Sequence, residues 1–289
     1  MSQLPQSTIE AAFLAACRAE LAALKPGNVH VHSDGHGMTV ATFEAAAVAA
    51  APHLAARGAS VGARIEAATR ASVQAVGCNA NLGIVLLCAP LAAAAEHGDG
   101  HLRLRVAEVL DHVTVADAAA AYRAIALANP AGLGTVPEQD VANVPSVTLL
   151  EAMALAYDHD RIAVAYVDDF QDIFDFALPC LATARLSSDD EPLAITVLHM
   201  SLMAKFADSH VVRKHGAQTA AELQAEAHRL RTAYLPAVDA DGFAELMRFD
   251  EDLKRRGLNP GTTADLVVAA LFADALMVAE REARGHDSH

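Results

Sequence analysis

Side chains able to grip a phosphate or a divalent ion gather at four interruptions of an otherwise apolar, Ala-rich chain. The first is Glu20 followed by Lys25-Pro26-Gly27-Asn28. A lysine at a helix end can reach an anion, and a glycine lets backbone approach a ligand closely. The same residues also read as a cation set against a helix C-terminal dipole, with an ordinary Pro-Gly stop. The second interruption is Gly77-Cys78-Asn79-Ala80-Asn81-Leu82-Gly83. Two buried Asn amides are costly unless hydrogen-bonded, and either a ligand or neighbouring backbone can meet them. The third is Asn259-Pro260-Gly261-Thr262-Thr263-Ala264-Asp265-Leu266. Thr262 or Thr263 can cap a helix there. Asp265 falls in its first turn, where the dipole favours a carboxylate. It is equally placed to hold Mg2+ on phosphates facing the helix N-terminus. The fourth runs from Asp208 to Gly216 and sets Arg213 and Lys214 beside a carboxylate. It reads as an anion clamp or as a solvated helix end.

His30, His32 and His36 alternate in a loop. Their spacing fits no zinc template well, and solvated loop histidines are the commoner outcome. The phosphate-binding and hydrolase motifs G-x-x-x-x-G-K-[ST], G-x-G-x-x-G, H-E-x-x-H and G-x-S-x-G are absent.

The elements that must carry these residues are helices. The chain has 289 residues, 53% of them hydrophobic and only 4% aromatic, with no Trp. That length and apolar content exclude disorder and allow a large core without a staple. Abundant Ala with Leu, Glu and Arg favours helix over strand. Ser7 with Glu10 reads as a capping box opening a helix that runs to Leu24. Helices are expected over 42–57, 62–76, 82–96, 114–127, 146–157, 168–183, 192–206, 219–234 and 241–256. A last one, capped by Thr262 or Thr263, runs to Arg284. His97 to Gly100 reads as a turn and Asn129 to Pro145 as a long irregular segment. The expectation is one all-α domain, 1–289, of about ten helices.

The net charge of −15 argues against nucleic acid as a partner, because such a surface repels the phosphate backbone. An anionic small molecule needs a local basic pocket or a bridging cation. Cys17, Cys78, Cys88 and Cys180 form no C-x-x-C pair and read as buried small hydrophobes in a reducing compartment. The N-terminus lacks the basic and apolar regions of a secretory signal. Ala71 to Ala95 carries no charge, but Asn79, Asn81, two glycines and Pro90 interrupt it, which suits a core helix better than a membrane span. A cytoplasmic protein with a small-molecule partner and no membrane is expected. Its oligomeric state stays open, a homo-oligomer included.

Taken in order, the four interruptions resemble the triphosphoribosyl-dephospho-CoA synthase family. That family shows a Glu ahead of K-P-G, then G-x-N-T-H-K-G, an acidic residue leading to R-x-x-G, and a late P-G-x-x-A-D-L. The matching stretches here are Glu20 with Lys25-Pro26-Gly27, Gly77 to Gly83, Asp208 through Arg213 to Gly216, and Pro260 to Leu266. Two segments depart. Ala80-Asn81-Leu82 stands where the family has T-H-K. Gly37 stands in Gly35-His36-Gly37-Met38 where the family has the acid of H-x-D-M. The chain looks like a divergent branch of the kind found in methanogens and methylotrophs, makers of unusual one-carbon cofactors.

The resemblance implies an enzyme that breaks the ribose–adenine bond of ATP and joins the triphosphoribosyl group to dephospho-CoA. Such displacement passes through an oxocarbenium-like state. On that reading Asp208 and Asp265 hold Mg2+, while Lys25, Arg213 and Lys214 pair with phosphate. Glu20 is the base, or the carboxylate beside the sugar cation. Asn79 and Asn81 orient the nucleotide, with Gly27, Asn28, Gly83, Gly261 and Thr262 lining the site. Two alternatives accompany it. One is a phosphoribosyl transfer, from ATP or phosphoribosyl pyrophosphate, onto a pterin or furan cofactor precursor. The other is a non-catalytic nucleotide-binding homologue.

Overall fold

The computed structural model describes residues 3–98, 100–130, 141, 143–235 and 238–286. Without β-branched alternation, these Ala-rich runs fold as helices. The first four are α1 (Gln6–Ala22), α2 (Val40–Leu54), α3 (Val61–Val76) and α4 (Leu82–Ala95). Then come α5 (Leu102–Asp111), α6 (Val115–Ala128), α7 (Leu149–Leu155) and α8 (Arg161–Val167). A π-helical turn (Asp172–Ala177) leads into α9 (Leu178–Ser187) and α10 (Glu191–Lys205). The last four are α11 (Ser209–His215), α12 (Ala217–Tyr234), α13 (Ala240–Arg255) and α14 (Gly261–His286). Among the described residues there is no strand, only two isolated bridges in the loop after α1, His30 with Ser33 and Gly35 with Met38.

The centre of the larger core is α4, in which every residue except Gly83 is buried. A helix apolar on all sides belongs inside a protein. Pro90 lies within it and has no N–H to give the carbonyl of Leu86. The hydroxyl of buried Tyr166, on α8, donates to that carbonyl at 2.7 Å and fills the gap. α14 packs against α4 and α1, with Val267 to Ala270, Phe272 and Ala273 fully buried. Its length and composition alone would let it cross a membrane, yet 67% of its most apolar window is buried in the fold, as in a core helix. A second, smaller core joins α10, α11, α12 and α13 through Met200, Val211, Leu223, Leu246 and Leu253. Leu24, just beyond α1, plugs into this second core.

The expected all-α fold is present, with fourteen α-helices among the described residues rather than about ten. α8 and α11 have seven residues each, too few to display a period, and α5 fell in a stretch given no helix. The expected helix 168–183 is broken. Asp169 and Phe170 take left-handed backbone (φ 50° and 57°), and the chain separates there into α8, the π-turn and α9. Ser7 and Glu10 do not cap α1, which starts at Gln6 after the extended Pro5. Of the expected turn at 97–100, Asp99 lies outside the described residues. So do 131–140 and 142 of the expected irregular segment.

The N-terminus of α14 is capped from a distance. Thr262 and Thr263 lie inside its first turn, and Asp208 does the capping. One oxygen of Asp208 accepts from the Thr263 amide (2.7 Å) and hydroxyl (2.8 Å), and the other from the Val211 amide of α11 (3.1 Å). One buried carboxylate therefore pins two helix starts. Each helix cap contributes about 0.5–2 kcal/mol, so Asp208→Ala, which removes two, should lower the unfolding free energy by about 1–4 kcal/mol. Urea denaturation would show this as a lower midpoint with an unchanged slope.

Candidate functional site

The chain leaves α1 at Ala22 and turns sharply at Pro26-Gly27. Lys25 is therefore beyond the helix and fully buried, not at an exposed helix end. Its ammonium donates to Glu20, to the carbonyl of Val29 (2.7 Å) and to Asn28 Oδ1 (3.4 Å). Gly27 takes φ +83°, and a Cβ there would lie 2.7 Å from Cδ of Pro260. The first interruption is thus pressed against the third. Asn28 Nδ2 donates to Asn259 Oδ1 at 2.9 Å and joins them again.

The second interruption ends α3 at Gly77, in left-handed backbone, and starts α4. Asn79 Oδ1 accepts from the Leu82 amide (3.2 Å), so it caps α4. Asn81 is buried, and its carbonyl oxygen accepts from Ser72 Oγ (2.6 Å). In the first turn of α4, Gly83 gives room to a carboxylate. A Cβ on Gly83 would lie 1.9 Å from Asp265 Oδ2. α14 thereby sets Asp265 against bare α4 backbone. From the fourth interruption, Arg213 donates to Asp160 Oδ2 at 3.0 Å. Asp160 in turn caps α8 through the Ile162 amide (2.8 Å).

These ends surround one cavity of about 410 Å3, within the range of small-molecule sites. Of the residues singled out in the sequence, Glu20, Asn28, Asn79, Gly83, Arg213, Lys214, Gly261, Thr262 and Asp265 line it. Lys25, Gly27, Asn81 and Asp208 stand behind the wall, in the roles just described. Asp160, His210, His36 and Asn259 also line the cavity. Asp160 had a sequence signal, an Asp before the short apolar run Ile162 to Val167, which is an N-cap pattern. The opposite wall is apolar, with Met38, Phe43, Ile84, Leu86 and Ile125.

The electrostatics are unusual for a surface cleft. Burial, then the nearby Asp208, Glu20 and Asp160 carboxylates, push Asp265 well above the ordinary carboxylate range. No hydrogen bond to its carboxylate is found among the described residues. Burial also raises Asp160, against the pull of Arg213. Burial raises Glu20 and lowers Lys25, and each resists the other's shift. His210 is lowered to about 4 by burial and then by Arg213 and Lys214, so it is neutral at pH 7. The cavity thus holds three carboxylates, Glu20, Asp160 and Asp265, of which Asp265 has no hydrogen-bond donor among the described residues. An acid cluster of this kind fits a divalent cation. Mg2+ typically takes one or two protein carboxylates and completes its shell with water and substrate phosphate. Asp265, which no donor bonds, fits that requirement as a single protein ligand, whereas both oxygens of Asp160 are taken, one by the Ile162 amide and the other by Arg213. Asp208 has its oxygens taken up by three donors.

The histidine loop does not gather into a metal site. His30 faces Asp250, its Nε2 3.3 Å from Oδ1. His32 is exposed and sets its ring edge against Phe243. His36 Nε2 pairs with the Gly27 carbonyl at 2.9 Å. No group of three potential metal ligands occurs among the described residues.

Comparison with known proteins agrees with the fold and the motifs. The profile of a family described as CitG, ATP:dephospho-CoA triphosphoribosyl transferase, matches residues 6–284. A curated protein of Albidiferax ferrireducens, named as a 2-(5''-triphosphoribosyl)-3'-dephosphocoenzyme-A synthase, is 35% identical over 89 residues. That stretch is 31% of this chain and spans only 29% of the relative's length. A crystal structure from Archaeoglobus fulgidus, assigned as a triphosphoribosyl-dephospho-CoA synthase, superposes with a TM-score of 0.62. The superposition covers 82% of this chain and 98% of that one at 24% identity, and shows a shared fold.

Removing one partner of a buried ion pair leaves the other charge uncompensated. Lys25→Met should cost about 3–5 kcal/mol at pH 8. Glu20 in this variant would have a folded pKa far above its unfolded value of 4.5. A raised carboxyl contributes stability below the unfolded pKa and loses it as pH rises through the folded one. The deficit should therefore be smaller at pH 5 than at pH 8, as urea unfolding at the two pH values would measure.

Proposed function

The chain belongs to the ATP:dephospho-CoA triphosphoribosyl transferase family, and on that premise we propose that it moves the triphosphoribosyl group of ATP onto a ribose hydroxyl of dephospho-CoA and releases adenine. One observation carries the reading: Glu20, Asp160 and Asp265 share a cavity with Arg213 and Lys214, at the starts of α4 and α14. We read residues 6–284 as one functional unit, because the cavity draws on helices from both cores. Four free cysteines and an ATP-consuming reaction suit the cytoplasm.

In the reaction the bond from ribose C1' to the adenine nitrogen breaks, and a bond from C1' to the acceptor oxygen forms. The acceptor's hydroxyl proton is lost and adenine gains one, so charge and atoms balance. Glu20 lies beside the reacting sugar as the carboxylate that steadies the developing ring cation and accepts the hydroxyl proton. Lys25 holds Glu20 in place from behind and keeps the pair neutral overall. Arg213, Lys214 and the start of α14, around Gly261 and Thr262, take the triphosphate. Mg2+ held by Asp265 would supply the remaining neutralisation of the phosphates. The apolar wall of Phe43, Ile84 and Ile125 excludes water from a cation that water would otherwise capture.

Leu82 favours a second reading for the acceptor or donor. It lines the cavity, at the place where the family pattern carries a lysine. A pterin or furan precursor, with phosphoribosyl pyrophosphate as donor, is that reading.

Purified protein with ATP, Mg2+ and dephospho-CoA should release adenine, read by chromatography. Glu20→Gln and Asp265→Asn should each slow that release by about a hundredfold or more, and chelation by EDTA should abolish it. Wild-type turnover in both variants would overturn the assignment. Pyrophosphate from phosphoribosyl pyrophosphate, without adenine from ATP, would establish the second reading. Tight nucleotide binding with neither product would mark a binding protein.

A further inference from the structure

We propose that Asp250, on α13 and outside the cavity, is a positioning residue that holds the Lys25-Pro26-Gly27 turn, and through it Glu20, in working geometry. The proposal rests on the role given to Glu20 above. Asp250 is fully buried. One of its oxygens accepts from the Gly27 amide at 2.8 Å, across 223 residues of sequence, and faces His30 Nε2 at 3.3 Å. The other accepts from Lys254 at 2.9 Å. Lys254 also donates to the carbonyl of Ser33 at 3.1 Å, so α13 grips the loop at two points. His30 Nδ1 accepts from the His32 amide (3.3 Å), which leaves the ring proton on Nε2, toward Asp250.

What this carboxylate holds is the scaffold of the site. The turn contains Lys25, the partner of Glu20. Its Gly27 carbonyl pairs with His36, a cavity residue. Its Asn28 is tied to Asn259, another cavity residue. Gly27 sits in left-handed backbone against Pro260, so the turn cannot shift without moving the start of α14 as well. A single buried acceptor thus fixes a segment bonded to three residues that line the cavity, Glu20, His36 and Asn259. The charged and titratable groups that face the turn are Glu20 from α1, His30 and His36 from the loop, His199 from α10, Asp250 and Lys254 from α13, and Asp265 from α14. Asp250 and Glu20 are the carboxylates bonded directly within it.

Asp250→Asn tests this with little change of shape. Its one amide oxygen can serve Gly27 or Lys254 but not both, and the NH2 group then opposes a donor. Misplacing a supporting residue typically costs about 10–100-fold in rate. The variant should therefore lose about that factor in kcat for adenine release, with KM for ATP within about threefold. Hydrogen exchange in peptides covering residues 25–31 should accelerate, while the middles of α4 and α14 stay protected. The double variant Asp250→Asn with Lys254→Met removes the opposed donor, and should recover both kcat and protection. It also serves if the single variant does not fold. Unchanged exchange at 25–31, or loss of kcat together with α4 and α14 protection, would overturn the proposal. Because exchange needs no turnover, it stays informative if the wild-type protein releases no adenine, a result that would count against the reaction and not against Asp250.

Discussion

A carboxylate that the fold leaves without a partner governs this molecule. Asp265 lies against the bare backbone of Gly83, ringed by Glu20, Asp160 and Asp208, and no donor among the described residues neutralises it. A fold gains nothing by gathering acids in a half-closed cavity, since each raises the cost of ionising the others. The arrangement becomes favourable when something positive enters. The surrounding residues make sense on that premise. Arg213, Lys214, the starts of α4 and α14 and a set of apolar side chains line the same cavity.

The helices serve this arrangement by ending where they do. α1, α4, α11 and α14 run through the two cores and break beside the same space. A buried helix end exposes amides that need acceptors. Here side chains provide them, three just ahead of their own helix (Asp208 for α11, Asn79 for α4, Asp160 for α8) and one from a remote part of the chain (Asp208 for α14). The same carboxylates and amides that satisfy backbone also fix the geometry of the cavity. Stability and site geometry are therefore coupled, and a change behind the wall is felt within it.

Much of this was legible in the residues. Pro-Gly and Gly-x-Asn breaks are local signals, so α3, α4 and the turns at Lys25 and Asn259 could be placed closely. The motifs that interrupt the helices did converge, and Glu20, Asn79, Arg213 and Asp265 share one cavity. What could not be read were the non-local bonds. Nothing near Asp208 says that it caps a helix 55 residues on, and nothing near Asp250 points to Gly27. Lys25 read as a cation at a helix end, and its full burial was not legible because it depends on remote segments packing beside the turn. α8 and α11 escaped because seven residues carry no period, and Asp160 escaped with α8.

The most direct examination of the central claim is a crystal structure of the protein with ATP and Mn2+, a stand-in for Mg2+ with an anomalous signal. The account predicts a single strong peak in the coordination shell of Asp265, bridging to phosphate oxygens near Gly261, with the ribose beside Glu20. A metal bound at the histidine loop, or nucleotide seated away from these carboxylates, would contradict it.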